Sequence, residues 1–179
     1  VPGYLIPSVL KADVYVRQRQ RLQQYVAAGG TVVWFKPLGP DTDSQGGWLH
    51  NQQEVARLAG IVSHTTHKKA TRVVIEPTAP GMVELDSFEE RSIRLSGGSA
   101  DVEVETITYK LDPDANVAVF GIAMAGDKVL GPTLLRNSIG AGAVYSLGYN
   151  PGSATAFRCY VNCFDPGRDV LTVLLRGVF

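Results

Sequence analysis

Cysteine is almost missing from this chain. Cys159 and Cys163 are the whole complement among 179 residues, too few for a disulfide framework. On a helical segment the two thiols sit one turn apart on one face. A redox or metal pair needs further ligands close in space, and thiols of this kind are ordinarily buried core. An excess of charge of either sign is also missing: 17 basic residues balance 17 acidic ones, for a formal net charge of +0. This neutrality gives no electrostatic case for nucleic acid or an anionic membrane, which usually shows as a basic patch, so neither is expected as a partner. No apolar run approaches the length that crosses a bilayer, and no signal peptide is read.

The common catalytic signatures are missing as well. A nucleophile elbow needs a Ser or Cys on a tight strand-to-helix turn with glycines on either side. Ser146 comes nearest, in Val144-Tyr145-Ser146-Leu147-Gly148, but the first glycine is absent. Neither cysteine has a glycine two residues away, and no GxxxxGK phosphate loop occurs. Gly140-Ala141-Gly142 lacks the third glycine of a dinucleotide fingerprint and falls between two strands, where a hairpin turn is the better reading. Asp112, Asp114 and Asn116 copy the opening of a calcium loop. The copy fails at Val117, where glycine is needed, and at Ala123, where the bidentate Glu belongs, so a polar turn is read instead. His64 and His67 are followed by Lys68 and Lys69, whose ammonium groups oppose a cation, and a solvated loop is expected there. No cofactor and no metal are called for.

What is present suits one globular domain: 45% of residues are hydrophobic, and the length allows a core without disulfides or metals. Residue 1 is Val and a strand-like run, Tyr4-Leu5-Ile6, follows at once, so the chain is expected to be one module of a longer protein. Asp13 to Ala28 reads as a helix, with Tyr15, Leu22, Tyr25 and Val26 on one stripe and Gly29-Gly30 as its stop. Thr31 to Phe35 is a continuous β-branched and aromatic run, the mark of a strand buried on both faces. Strand, helix and buried strand make a βαβ unit with a parallel crossover. A short helix from Asn51 follows, capped through Glu54 and ended by Gly60, then a short strand at Ile61 to Val62.

Beyond this point the periodicity changes. Arg72 to Glu76, Asp101 to Lys110, Asn116 to Met124, Val129 to Asn137 and Ala143 to Leu147 read as strands, with turns at Ala125 to Lys128 and Ser138 to Gly142. A parallel start thus gives way to an antiparallel meander. Ala154 to Asn162 and Arg168 to Val178 read as helices, the second launched by Asp165-Pro166.

The candidate ligand-binding residues are Asp41, Asp43, Trp48 and His50. They follow the buried strand, and ligands in open α/β sheets bind beyond the carboxyl ends of strands. Carboxylates take sugar hydroxyls and an indole face stacks on a pyranose; the bland reading is a surface loop anchored by Trp48. No catalytic residue is assigned. A stand-alone hydrolase would have Ser63, His64 or His67 and Asp86 as its nominal players, without a spacing that supports a triad.

Leu22 to Phe35, with its Tyr25-Val26-Ala27-Ala28-Gly29-Gly30-Thr31 step, resembles the class I glutamine amidotransferase-like fold. More narrowly, it resembles the β-galactosidase trimerisation domain of carbohydrate-active enzymes. Val55 to Ile61 is similar to the next step of that family. Val119-Phe120, Gly126-Asp127-Lys128, Pro132, Arg136-Asn137, Gly140-Ala141-Gly142 and Val144 to Gly148 are similar to its ending. The resemblance implies an α/β fold, a flavodoxin-like or amidotransferase-like three-layer sandwich with a parallel core and an antiparallel meander in the second half. It also implies that residues 1–179 form a single domain lacking the family's first strand and helix. By the same resemblance the role is non-catalytic, structural or oligomerising, beside a glycoside hydrolase. The partners would be the rest of a parent protein or further copies of the chain, with carbohydrate as a possible ligand.

Overall fold

The computed structural model describes residues 3–6, 12–35, 56–75, 92–94 and 105–149. The first strand, β1 (Gly3–Ile6), leads into helix α1 (Ala12–Ala27), and β2 (Thr31–Phe35) follows. The helix ends as its glycines require. Gly29 takes a φ of 103°, the Gly29 amide donates to the Val26 carbonyl at 2.9 Å, and the Gly30 amide donates to the Tyr25 carbonyl at 2.9 Å. This paired closure of the last turn lets the chain reverse directly into β2. β1 and β2 pair in parallel, Gly3 with Thr31 through Ile6 with Trp34.

The remaining strands are β3 (Ile61–His67), β4 (Arg72–Ile75), β5 (Ser92–Arg94), β6 (Thr106–Leu111), β7 (Val117–Ala125), β8 (Lys128–Ile139) and β9 (Gly142–Leu147). Seven strands form one sheet in the order β1-β2-β9-β8-β7-β4-β5, and β3 pairs with β6 in a second. β9 lies parallel to β2, whereas every neighbour pair from β9 outward to β5 is antiparallel. β7 and β8 are joined at Gly126-Asp127, β8 and β9 at Gly140-Ala141, so both glycine clusters are hairpin turns.

The three-layer sandwich expected from the sequence is overturned. The chain is mostly β, a curled mixed sheet in the shape of a half-barrel. A doubly wound sandwich needs helices on both sheet faces, each delivering the next parallel strand. Among the described residues only α1 does this. The third parallel strand, β9, arrives through the β7–β8–β9 meander instead. The physical reason lies in the described strands between residues 105 and 147, whose glycine-punctuated runs fold back as hairpins.

One face of the large sheet carries Val32, Trp34, Val144 and Leu135, and its cover is itself part strand. Ile61 of β3 and Ile107 and Tyr109 of β6 join Leu58, Ala59 and Val26 against those residues in a single core. Asn137, 3% exposed, ties the helical turn at residues 56–59 to this core, its Nδ2 donating to the Leu58 carbonyl at 3.0 Å. Val33, Tyr145, Leu147 and Leu134 on the opposite face are buried as well. β2 and β9 are therefore enclosed on both sides, which accounts for the apolar run Val32 to Phe35 and for the burial of every residue of β9.

Candidate functional site

Three strands run in parallel and so end at the same edge of the sheet. Trp34 and Phe35 close β2 beside Ser146 and Leu147 of β9, and Ile6 of β1 lies opposite Trp34. The segment carrying Asp41, Asp43, Trp48 and His50 leaves from Phe35 at this edge, and all four candidate residues lie outside the described residues. Cys159, Cys163 and Asp86 lie outside them too.

A three-way junction closes the same end of β9. The Gly148 amide donates to the Thr133 carbonyl at 2.7 Å, and the Gly148 carbonyl accepts from the Ile107 amide at 2.6 Å. The Thr133 hydroxyl completes the ring by donating to the Ile107 carbonyl at 2.8 Å. Large sheet and small sheet are thereby stitched together where β9 ends.

Near the junction two hydroxyls, Ser146 Oγ and Tyr109 Oη, are buried without a partner among the described residues. Ser146 lies beside Trp34 and Leu135 in register, and Tyr109 packs in the core that holds both of those residues. Burial pushes the Tyr109 phenol well above its ordinary value of 10.0. Ser146, the nearest approach to an elbow in the sequence, is fully buried within β9 rather than raised on a strand-to-helix turn. Among the described residues no base reaches its hydroxyl, and the side chain is closed to solvent.

His64 and His67 depart from expectation. They belong to β3 and not to a loop, and their odd separation on a strand sends them to opposite faces. His64 pairs with Tyr109, and desolvation lowers its pKa from the ordinary 6.5. His67 Nε2 and Thr108 Oγ1 lie 2.8 Å apart in a hydrogen bond whose direction follows the imidazole tautomer. Alternation sends Ser63 and His64 to opposite sides, and His67, on the side of Ser63, lies four residues further along the strand, roughly 13 Å away; Asp86 lies outside the described residues. No cluster of three or more potential metal ligands occurs among the described residues. Asp112 and Asp114 form the expected polar turn, the Asp114 amide donating to Asp112 Oδ1 at 3.0 Å.

Arg136, in the sequence only part of the Arg136-Asn137 step of the resemblance, is a further candidate. It lies between the buried residues Leu135 and Asn137 on β8 and contacts Tyr145 and Ser138. A cation directly after Leu134-Leu135, within a strand expected to pack in the sheet, was the available signal.

No protein-family model matches the chain, and no curated protein matches it in sequence. Solved structures do. The exo-β-1,4-mannosidase of Opitutaceae bacterium strain TAV5 matches at a TM-score of 0.51 and 16% identity, over 89% of this chain and 22% of that one. A cytoplasmic protein of Salmonella typhimurium LT2 matches at a TM-score of 0.52 and 12% identity, over 81% of this chain and 59% of that one. A β-galactosidase of Bacillus circulans sp. alkalophilus matches at 0.48 and 19% identity, over 82% of this chain and 19% of that one. The chain thus shares its fold with a stretch of a glycoside hydrolase and spans about a fifth of the two glycosidases.

Proposed function

We propose that this domain is a non-catalytic assembly module of the β-galactosidase trimerisation type, part of a glycoside hydrolase or a related carbohydrate-active enzyme. The observation that carries the reading is the match of nearly the whole chain to a small part of the mannosidase. A fold that occupies a fifth of an enzyme leaves the remainder to supply the chemistry. Burial of Ser146 supports the same reading, since the residue closest to a nucleophile motif is enclosed in core. The partner is the rest of the parent enzyme or another copy of the chain. Removing this segment from the parent is expected to lower its oligomeric state in light scattering. Unchanged assembly together with unchanged activity would sink the proposal.

A second reading rests on the shared edge where β1, β2 and β9 end. Open sheets bind ligands there, and Asp41, Asp43, Trp48 and His50 follow β2 in sequence. On this reading they hold a sugar. Trp48→Ala is then expected to weaken glycan binding by about tenfold, the factor that ~1.4 kcal/mol of lost stacking gives; binding equal to that of the unaltered chain would discard the idea.

A further inference from the structure

Arg136 is a half-buried cation with no anion beside it among the described residues. Alternation along β8 sets it on one face with Leu134 and Ser138, and sets Leu135 and Asn137 on the other. Register places Tyr145 of β9 on one side of it and Ala118 of β7 on the other. The guanidinium lies over the Tyr145 ring, 5.9 Å from its centroid. Its Nε donates to Tyr145 Oη at 3.2 Å and its Nη1 donates to Ser138 Oγ at 2.6 Å. Phe120 braces Tyr145 edge-on, with ring centroids 6.2 Å apart and planes at 71°.

Both acceptors are neutral hydroxyls, so they orient the guanidinium without neutralising it. The outer Nη2 donates to no described residue. Arg72 is different: it meets Asp127 at 3.6 Å on an exposed surface. Partial burial of a cation without a countercharge is unfavourable, and a charged acceptor relieves it more than a neutral one does.

We propose that Arg136 anchors a binding site for a small carboxylate, received by the outer guanidinium edge that Tyr145 and Ser138 leave free. One planar guanidinium matches the planar geometry and single charge of a carboxylate. Its neighbours by register, Ala118, Leu134, Ser138 and Tyr145, add no second cation of the kind that a doubly charged phosphate recruits. The site is independent of the assembly role.

The test is a titration of the 179-residue chain with sodium acetate, against sodium chloride at equal ionic strength. NMR follows the Arg136 Nε–H and the Ser138 and Tyr145 amides. Acetate is expected to give saturable shifts that chloride does not. Arg136→Lys keeps the charge but lacks the fork, and is expected to weaken acetate binding by about tenfold. Arg136→Met abolishes it, and Tyr145→Phe, which keeps the ring but releases Nε, weakens it. Thermal unfolding verifies that each variant is folded. Identical responses to acetate and chloride, or undiminished acetate saturation in Arg136→Lys or Arg136→Met, would overturn the site.

Discussion

Gly148→Ala is expected to destabilise the chain by about 3 kcal/mol, the upper end of what overpacking a tight interior costs. A Cβ at this position would fall inside contact distance of the Ile107 carbonyl oxygen and of Thr133 Oγ1. Neither atom can yield freely. The Ile107 carbonyl accepts from the Thr133 hydroxyl, and the Ile107 amide donates to Gly148 itself. Ile107 and Thr133 are both fully buried, so a broken hydrogen bond here strands a polar group away from water, at roughly 1–3 kcal/mol for each group. The substitution therefore opens the seam between the sheets instead of adding one methyl. Urea unfolding would show it as a large fall in midpoint. Val129→Ala, at a position 61% exposed on β8, is the control and should change stability by no more than about 0.5 kcal/mol. Equal midpoints for the two variants would contradict the junction.

Tyr109→Phe is expected to act in the opposite direction, raising stability at neutral pH by about 1 kcal/mol. The ring fills the core between the two sheets while its hydroxyl is buried with no partner among the described residues, so removing the oxygen relieves a desolvation cost and leaves the packing intact. The pH dependence gives a separate readout. Burial raises the folded-state pKa above the ordinary 10.0. Above that pH the unfolded chain releases the phenolic proton while the folded chain keeps it. Stability is intact below 10.0 and then falls by about 1.4 kcal/mol per pH unit until the folded-state pKa is reached. Tyr109→Phe removes this contribution, so its advantage over the unaltered chain should widen between about pH 7 and about pH 11. A neutral-pH loss on substitution would mean that the hydroxyl has a partner.

Local structure was legible in the sequence wherever one short-range signal dominated. The helix expected over residues 13–28 is Ala12–Ala27, because Gly29-Gly30 fixes its end. The strand at residues 31–35 matches to the residue, and the two glycine-centred hairpins fall where the turn chemistry placed them. What failed was the assembly of these pieces. β-Branched runs do not record whether the next strand arrives through a helix or a hairpin, and a genuine βαβ start was extended into a sandwich. β3 was read as two residues and is seven, since Ser63 to His67 is polar and owes its extended form to pairing with β6. β5, three residues long, carried no readable pattern.

The candidate sites divide in the same way. Turn residues such as Asp112 and Asp114 could be read because their side chains bond to the local backbone. The position of Ser146 could not, because its burial depends on β6, which pairs with β3 and packs across the sheet. Arg136 was missed because its partners come from a neighbouring strand as well as from its own.

The mass of the purified chain, followed by light scattering over a wide range of concentrations, is the most direct test of the assembly role. A dimer or trimer that persists on dilution is the expected result, since an assembly module carries its own association surface. A single-chain mass at every concentration would contradict self-association through this domain.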